Sequence, residues 1–312
     1  MIKPQGLWSR LGALFRYLSL EATGVFKGTG TKSLGVYGAA VTLAAFLNLA
    51  KQRSPDGRRM LGRRRPFPGW HLLAIAPQSF DIYPLLYPES EYDFAMADRE
   101  ALEALILGIE DHCAWARRGA GGRRIERARG LIVPAWRHGS SRLLLLAPHW
   151  HLIVLNSVEC FDGRWVALPG IRSTRKALAT NRLFGSGYRN PLFARQKALG
   201  SLYRQALREA LERRGYRTRD RADFGFELDG VSDDLLRHFG KRRAEVLAMR
   251  KTLRPRHAGV HEQELLDWAA RSSRQAKPKH IDLPRLRETW RAEALEIEGR
   301  ARDTDIHHDQ GR

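Results

Sequence analysis

Three histidines define the chemistry this chain could do. His149 and His151 flank Trp150, and His138 lies eleven residues before His149. In a β-strand, residues i and i+2 project from the same face, so His149 and His151 can converge on one point. Segments 129–137 and 149–158 are rich in aliphatic and aromatic residues and predict two strands of one hairpin, with His138 at the end of the first. Three imidazoles with open positions are one way to hold a catalytic divalent ion and leave room for water or substrate. Ordinary half-buried histidines would give the same residue types, and the residues alone leave both readings open.

Other candidate motifs fail on chemistry. Gly28-Thr29-Gly30-Thr31-Lys32-Ser33 has the glycines of a phosphate cradle but no glycine directly before Lys32, so it reads as a tight turn. His307 and His308 lie in a polar tail and read as solvated. Cys113 and Cys160 have no CxxC partner, which argues against structural zinc, and neither G-x-S-x-G nor HExxH occurs.

The elements that must position the histidines follow from periodicity. Residues 1–50 read as a helix, the Gly-rich turn and a second helix through Ala50. Trp70–Ala76 predicts a strand stopped by Pro77. A helix over about 97–117 puts Leu102, Leu105, Ile106 and Ile109 on one face. Asp162-Gly163 signals a turn before a strand over Arg164–Leu168. Gln196–Arg214 is an amphipathic helix, and Phe224–Leu228 a short strand. Ser232 caps a helix with Asp233 and Asp234 in its first turn, and Pro284 suits the first position of a last helix after Asp282. Strands and helices alternate without a regular βαβ rhythm. The expected fold class is therefore α+β: a central antiparallel sheet with flanking helices and a C-terminal helical extension. The expected division is a core over residues 1–250, the extension over 251–300 and a loose tail over 301–312.

Composition sets the class of partner. The 312 residues carry 54 Lys and Arg against 34 Asp and Glu, a net charge of +20, and 43% are hydrophobic. That excludes wholesale disorder and a disulfide-stapled miniprotein, and points to a polyanion, nucleic acid first. Lys51, Arg53, Arg58, Arg59, Arg63, Arg64 and Arg65 form one cluster, and Arg117, Arg118, Arg123, Arg124, Arg127 and Arg129 a second. Between Arg172 and Arg219, thirteen basic residues are interleaved with Phe184, Tyr188, Phe193, Tyr203 and Tyr216, the mixture of charge and stacking faces that holds single-stranded nucleic acid. Two cysteines suit a reducing compartment. The apolar stretches are too short to span a bilayer, and the N-terminus lacks signal-peptide character, so the expected location is the cytoplasm, without membrane insertion.

Taken in order, six segments resemble the relaxase domain of the MobF-type conjugative relaxases, within the HUH endonuclease superfamily. Lys27-Gly28-Thr29-Gly30 with Leu34-Gly35 is similar to the pattern GKGAxxLG, and Pro68–Ser79 to PGxDLTFSAPKS. Arg137-His138-Gly139-Ser140-Ser141-Arg142 resembles RHxTSR, with ungapped spacing to His149 and His151. Asp162–Leu168 resembles DGxWRAL, Tyr203–Tyr216 resembles YxAELAxxLxxLGY, and Phe239–Glu245 resembles FSKRxxEI. The resemblance runs from about residue 15 to 295 and rests on the order and spacing of all six.

The resemblance implies an HUH palm-like fold and a single-strand DNA nickase acting at a transfer origin. A tyrosine near the N-terminus attacks the scissile phosphodiester, and His138, His149 and His151 bind a divalent cation, Mg²⁺ or Mn²⁺. It also implies DNA contacts from Arg137, Arg142, Arg172, Arg175, Lys176 and Arg182, and relaxosome partners with a separate helicase, since no Walker motif falls within these residues. The chain departs from the pattern in places. Where two tyrosine pairs are usual, only Tyr17 is present, and the earlier pair falls near Trp8 and Ser9. His71 stands at the position of the pattern's Asp, Gln78 at that of its Lys, and Leu146-Ala147-Pro148 precedes the histidine pair in place of DPQL. An imidazole at position 71 could serve as a base or as a partner of a metal ligand. Two functions follow as expectations: a metal-dependent tyrosine transesterase with Tyr17 and His71 in its catalytic site, or a relaxase-fold protein that binds single-stranded or origin DNA without cleaving it.

Overall fold

The computed structural model describes residues 4–64, 68–120, 124–141, 144–169, 196–221, 225–257, 265, 268–269, 272 and 280–309. Helix α1 (Pro4–Leu18) leads into strand β1 (Val25–Lys27), the short helix α2 (Thr29–Ser33) and helix α3 (Leu43–Ala50). Strand β2 (Gly69–Ile75) is followed by helices α4 (Ser79–Leu86) and α5 (Glu91–Cys113). Strands β3 (Trp115–Arg118), β4 (Arg124–Arg127), β5 (Gly130–Leu131), β6 (Val133–Ser140), β7 (Leu146–Leu155), β8 (Val158–Glu159) and β9 (Trp165–Val166) come next. The described chain resumes with α6 (Gln196–Glu212), β10 (Thr218–Arg221), β11 (Gly225–Leu228), α7 (Asp233–Phe239), α8 (Lys241–Leu253) and α9 (Leu283–Asp309).

The central sheet has the order β1-β6-β7-β2, with antiparallel β1–β6 and β2–β7 pairs. This is the α+β class expected from the sequence. On one face, α1 and α3 bury Leu11, Leu18, Phe46 and Leu49 against Trp136, Ile153 and Leu155. The rings of Phe15, Phe46 and Trp136 meet at centroid distances of 5.8–6.1 Å. Gly24 permits this packing, because a Cβ there would fall 2.4 Å from the Trp136 indole. On the opposite face, Trp150 and Arg137 meet Asp98 of α5, which also receives Tyr203 of α6.

The Gly-rich turn is filled from within the protein. Gly28 adopts φ 90°, a conformation glycine reaches without a Cβ penalty, and α2 starts directly after it. The Glu110 carboxylate accepts from Thr29 N and Leu131 N, both at 2.7 Å, and from Thr29 Oγ1 at 2.7 Å. An acid of this chain thus occupies the niche that a phosphate cradle would offer, in keeping with the reading as a turn.

The chain forms two compact units. One takes Met1–Ile75, Asp98–Arg137 and His149–Ala210; the other takes Ala76–Ala97, His138–Pro148 and Leu211–Arg312. The two units are interleaved along the sequence. In the second unit, Ser79 N donates to Glu227 (2.9 Å) while Ser79 Oγ accepts from Leu228 N (2.9 Å), fastening α4 to β11. His238 of α7 meets Glu293 of α9 at 2.8 Å.

Several boundaries differ from expectation. Helix α5 begins at Glu91, because a 3-10 turn over Pro88–Ser90 leads into it and Glu91 and Asp93 suit its positive end; it stops at Cys113, where β3 takes over. Only Trp165–Val166 of the strand expected over Arg164–Leu168 pairs. The Ser232 cap is present, its Oγ accepting from Leu235 N at 3.4 Å. Asp282 caps α9, accepting from Arg285 N (3.2 Å), so Leu283 takes the first helical position and Pro284 the second. Helix α9 continues to Asp309. Among the described residues, no helix is long and apolar enough to cross a membrane.

Candidate metal centre

Register brings the histidines together. On β7, His149 lies opposite Ile75 of β2, His151 opposite Leu73, and Ile153 opposite His71. Directly opposed residues share a face, so His71, Leu73, Ile75, His149, His151 and Ile153 all project from one side. It is the side that α1 and α3 cover further along, around Ile153 and Trp136. Coverage stops short of the histidine end, where Leu73 and Ile75 remain 51% and 47% exposed on the edge strand.

The ligand-capable nitrogens of His138, on β6, and of His149 and His151 all lie within 4.8 Å of one another. His138 and His151 are buried and His149 half-buried. Nε2 of His149 and Nε2 of His151 are 3.1 Å apart. Two imidazoles on one ion at ~2.0–2.1 Å would hold their nitrogens about 3 Å apart, so the spacing fits a shared cation. The donor set, three imidazoles, fits as well.

Around this cluster, Nδ1 of His151 meets Nε2 of His71 at 2.7 Å, with the rings 4.9 Å apart. The contact is the cross-strand diagonal that register predicts, since His71 faces Ile153 two positions beyond His151. Tyr17, in the last turn of α1, sets its ring edge-on against His151 at a centroid distance of 5.5 Å. The structure therefore assembles Tyr17, His71, His149 and His151 in a chain of ring contacts, with His138 completing the imidazole cluster.

The residues expected to touch DNA have other surroundings. Arg137 projects from the opposite sheet face, and its Nε donates to Asp98 at 2.5 Å. Arg142, Arg172, Arg175, Lys176 and Arg182 lie outside the described residues, as do Phe184, Tyr188 and Phe193. Much of the second arginine cluster is paired. Arg118 forks onto Asp162 (2.7 and 2.9 Å), Arg124 meets Glu126, and Arg127 meets Asp111 and stacks over Trp115. The guanidinium of Arg118 holds the Asp162 carboxyl far below its usual range. Arg53, Arg58, Arg59 and Arg63 of the first cluster are exposed.

Sequence reasoning missed the buried carboxylates that support the site. Asp98 is 2% exposed and accepts from Arg137, from Trp150 Nε1 at 2.8 Å and from Tyr203 OH at 2.7 Å. Trp150 lies between the two β7 histidines, so Asp98 fixes from behind the strand that presents them. Helical spacing carried the signal: Asp98 stands three, four and seven residues before Ala101, Leu102 and Leu105, on the buried face of α5.

Comparison with known proteins adds to this geometry. The TrwC relaxase family model matches residues 13–297. The multifunctional conjugation protein TraI of Escherichia coli strain K12 is 26% identical over 268 residues, covering 82% of this chain and 13% of TraI. A second TraI from Escherichia coli is 25% identical over 217 residues, covering 65% of this chain and 11% of that protein. The chain thus spans little more than a tenth of the length of these relatives. Among solved structures, the conjugative relaxase TrwC in complex with oriT DNA, in metal-free and metal-bound forms, gives a TM-score of 0.73 at 24% identity. The match covers 93% of this chain and 95% and 96% of those chains, respectively, a likeness that establishes the fold.

Proposed function

The chain belongs to the TrwC relaxase family, and from that premise we propose that it nicks and rejoins one strand of DNA at a transfer origin, with Tyr17 as nucleophile. The observation that carries the reading is the convergence of three imidazoles beside an N-terminal tyrosine whose ring rests on one of them. Relatives support the substrate: TrwC has been solved with oriT DNA and with bound metal, and TraI is a conjugation protein.

In the proposed mechanism, His138, His149 and His151 would hold a divalent cation. When bound, it polarises the phosphate oxygens and offsets the negative charge that builds on them in the transition state. The Tyr17 oxygen attacks the scissile phosphorus, forming a phosphotyrosine at the 5′ side and breaking the bond to the 3′ oxygen. That oxygen leaves as a hydroxyl, its new proton balancing the one Tyr17 gives up. Because the ester conserves the phosphodiester's energy, attack by a 3′ hydroxyl reverses the step and reseals the strand. Placing Tyr17 on a helix packed against the sheet converts the attack into a pre-oriented reaction. Exposed basic residues hold the strand.

A second reading, DNA binding without cleavage, is favoured by one observation: His71 stands where the family pattern carries Asp, beside His151. The two separate in a cleavage test with single-stranded oligonucleotides tiled across DNA flanking the gene, with Mn²⁺ or Mg²⁺. The proposed function predicts one discrete product ending in a 3′ hydroxyl, lost in His149→Ala. Tight binding to an origin fragment with no product would favour the second reading.

A further inference from the structure

The geometry points to His71 as a positioning residue that sets the tautomer of His151 and thereby controls whether the histidine cluster can take a cation. The inference rests on the metal reading above and goes beyond it by assigning a task to a residue outside the three ligands. A neutral imidazole carries one N–H and one lone pair, so the 2.7 Å contact between His151 Nδ1 and His71 Nε2 requires one nitrogen to donate and the other to accept. Two arrangements satisfy it. In the first, His71 Nε2–H donates to His151 Nδ1; the His151 proton then sits on Nε2, which faces His149 Nε2 at 3.1 Å and can donate to it. In that state His151 has no lone pair to offer the cluster. In the second, His151 Nδ1–H donates to His71 Nε2, His71 carries its own proton on Nδ1, and Nε2 of His151 presents a lone pair to the cluster. Cation uptake selects the second arrangement, and His71 must supply the acceptor.

A neutral partner at position 71 also bears on which ion is held. A carboxylate in this place would accept the His151 proton and also contribute negative charge. An imidazole accepts it but contributes none, leaving a centre built on nitrogen donors with a neutral partner. Such donors suit ions of the Zn²⁺ class better than Mg²⁺, which prefers carboxylate, carbonyl and water oxygens. This differs from the Mg²⁺ or Mn²⁺ implied by the family resemblance.

The test is calorimetric titration of the full chain with ZnCl₂ and with MgCl₂, for wild type and for His71→Ala, His71→Gln and His71→Glu. Circular dichroism checks the fold, and ¹⁵N-resolved imidazole spectra report the tautomers. The expected result is tighter Zn²⁺ than Mg²⁺ binding in wild type and a loss of about 10–100-fold in Zn²⁺ affinity for His71→Ala. Gln, which restores a neutral acceptor, should recover most of that loss, and Glu should raise Mg²⁺ affinity relative to Zn²⁺. On adding Zn²⁺, His71 should show the Nδ1–H tautomer and His151 a protected Nδ1–H that vanishes in His71→Ala. Unchanged Zn²⁺ affinity in a folded His71→Ala, with affinity still abolished by His149→Ala, would overturn the role of His71 and leave the metal site standing. No uptake by wild type, equal to that of His149→Ala, would overturn the metal reading and this inference together.

Discussion

A buried polar node lies behind the histidines. Asp98 is buried with three donors, one of them charged, so removing it takes an acceptor from Arg137, Trp150 and Tyr203 at once. Asp98→Ala should therefore destabilise the fold by about 3–5 kcal/mol, the range for breaking a buried ion pair. Tyr203→Phe, which deletes one hydrogen bond to a charged acceptor, should cost about 1.5–3 kcal/mol. Urea unfolding measures both, and equal losses in the two variants would contradict the ranking. Tyr216 gives a pH prediction. Burial, then its 2.9 Å hydrogen bond to Asp93, pushes its hydroxyl up to about 12. A raised folded-state value means the unfolded chain ionises first. The stabilising contribution is therefore intact below about pH 10 and lost as pH rises toward 12. In alkaline unfolding, Tyr216→Phe should lose less stability than wild type across that window; parallel curves would count against the assignment.

At the scale of elements, the sheet presents the histidines and α1 decides how much of their face stays open. Trp136 sits two residues before His138 on the same strand and anchors α1 and α3 through Phe15 and Phe46. Gly24→Ala would drive a methyl into the Trp136 ring, and overpacking of this kind costs about 1–3 kcal/mol. A lower urea midpoint together with altered Trp136 fluorescence is the expected outcome; an unchanged midpoint would mean that α1 yields freely. How much of this was legible in the sequence follows the physics. The HxH pair, the β2 strand, α6 and the Ser232 cap are local signals of period two, period 3.6 and hydrogen-bond chemistry, and each is present. The start of α5 was not legible, because Glu91–Met96 mixes acids, aromatics and small residues without a clear stripe, and the Ser90 hydroxyl ahead of it bonds back to Tyr87 O instead of capping. The diagonal between His71 and His151 was not legible either, since it depends on the β2–β7 register across eighty residues of chain. The pairing of the β3–β4 arginines was hidden for a related reason: a charge count identifies Arg118 and Arg127 but not the Asp162 and Asp111 that meet them.

For the molecule as a whole, the proposed function makes the net charge of +20 the driver of association with DNA. Each phosphate neutralised on a single strand releases counterions, giving a slope of about −0.7 in log affinity against log salt. A footprint of about six phosphates would lower affinity roughly 100-fold between 0.1 and 0.3 M salt. Fluorescence anisotropy measures the slope, and a flat response would contradict an electrostatic footprint. The proposed activity asks for more than binding. It asks that Tyr17, resting on His151, become covalently joined to DNA in a step that needs the histidine cluster. The direct measurement incubates the protein with origin-containing single-stranded DNA and a divalent ion, separates the products under denaturing conditions, and maps the modified residue by mass spectrometry. The expected result is a protein–DNA adduct on Tyr17, absent in Tyr17→Phe and in His149→Ala. An adduct that persists in Tyr17→Phe, or no adduct on DNA that the protein binds tightly and specifically, would contradict it.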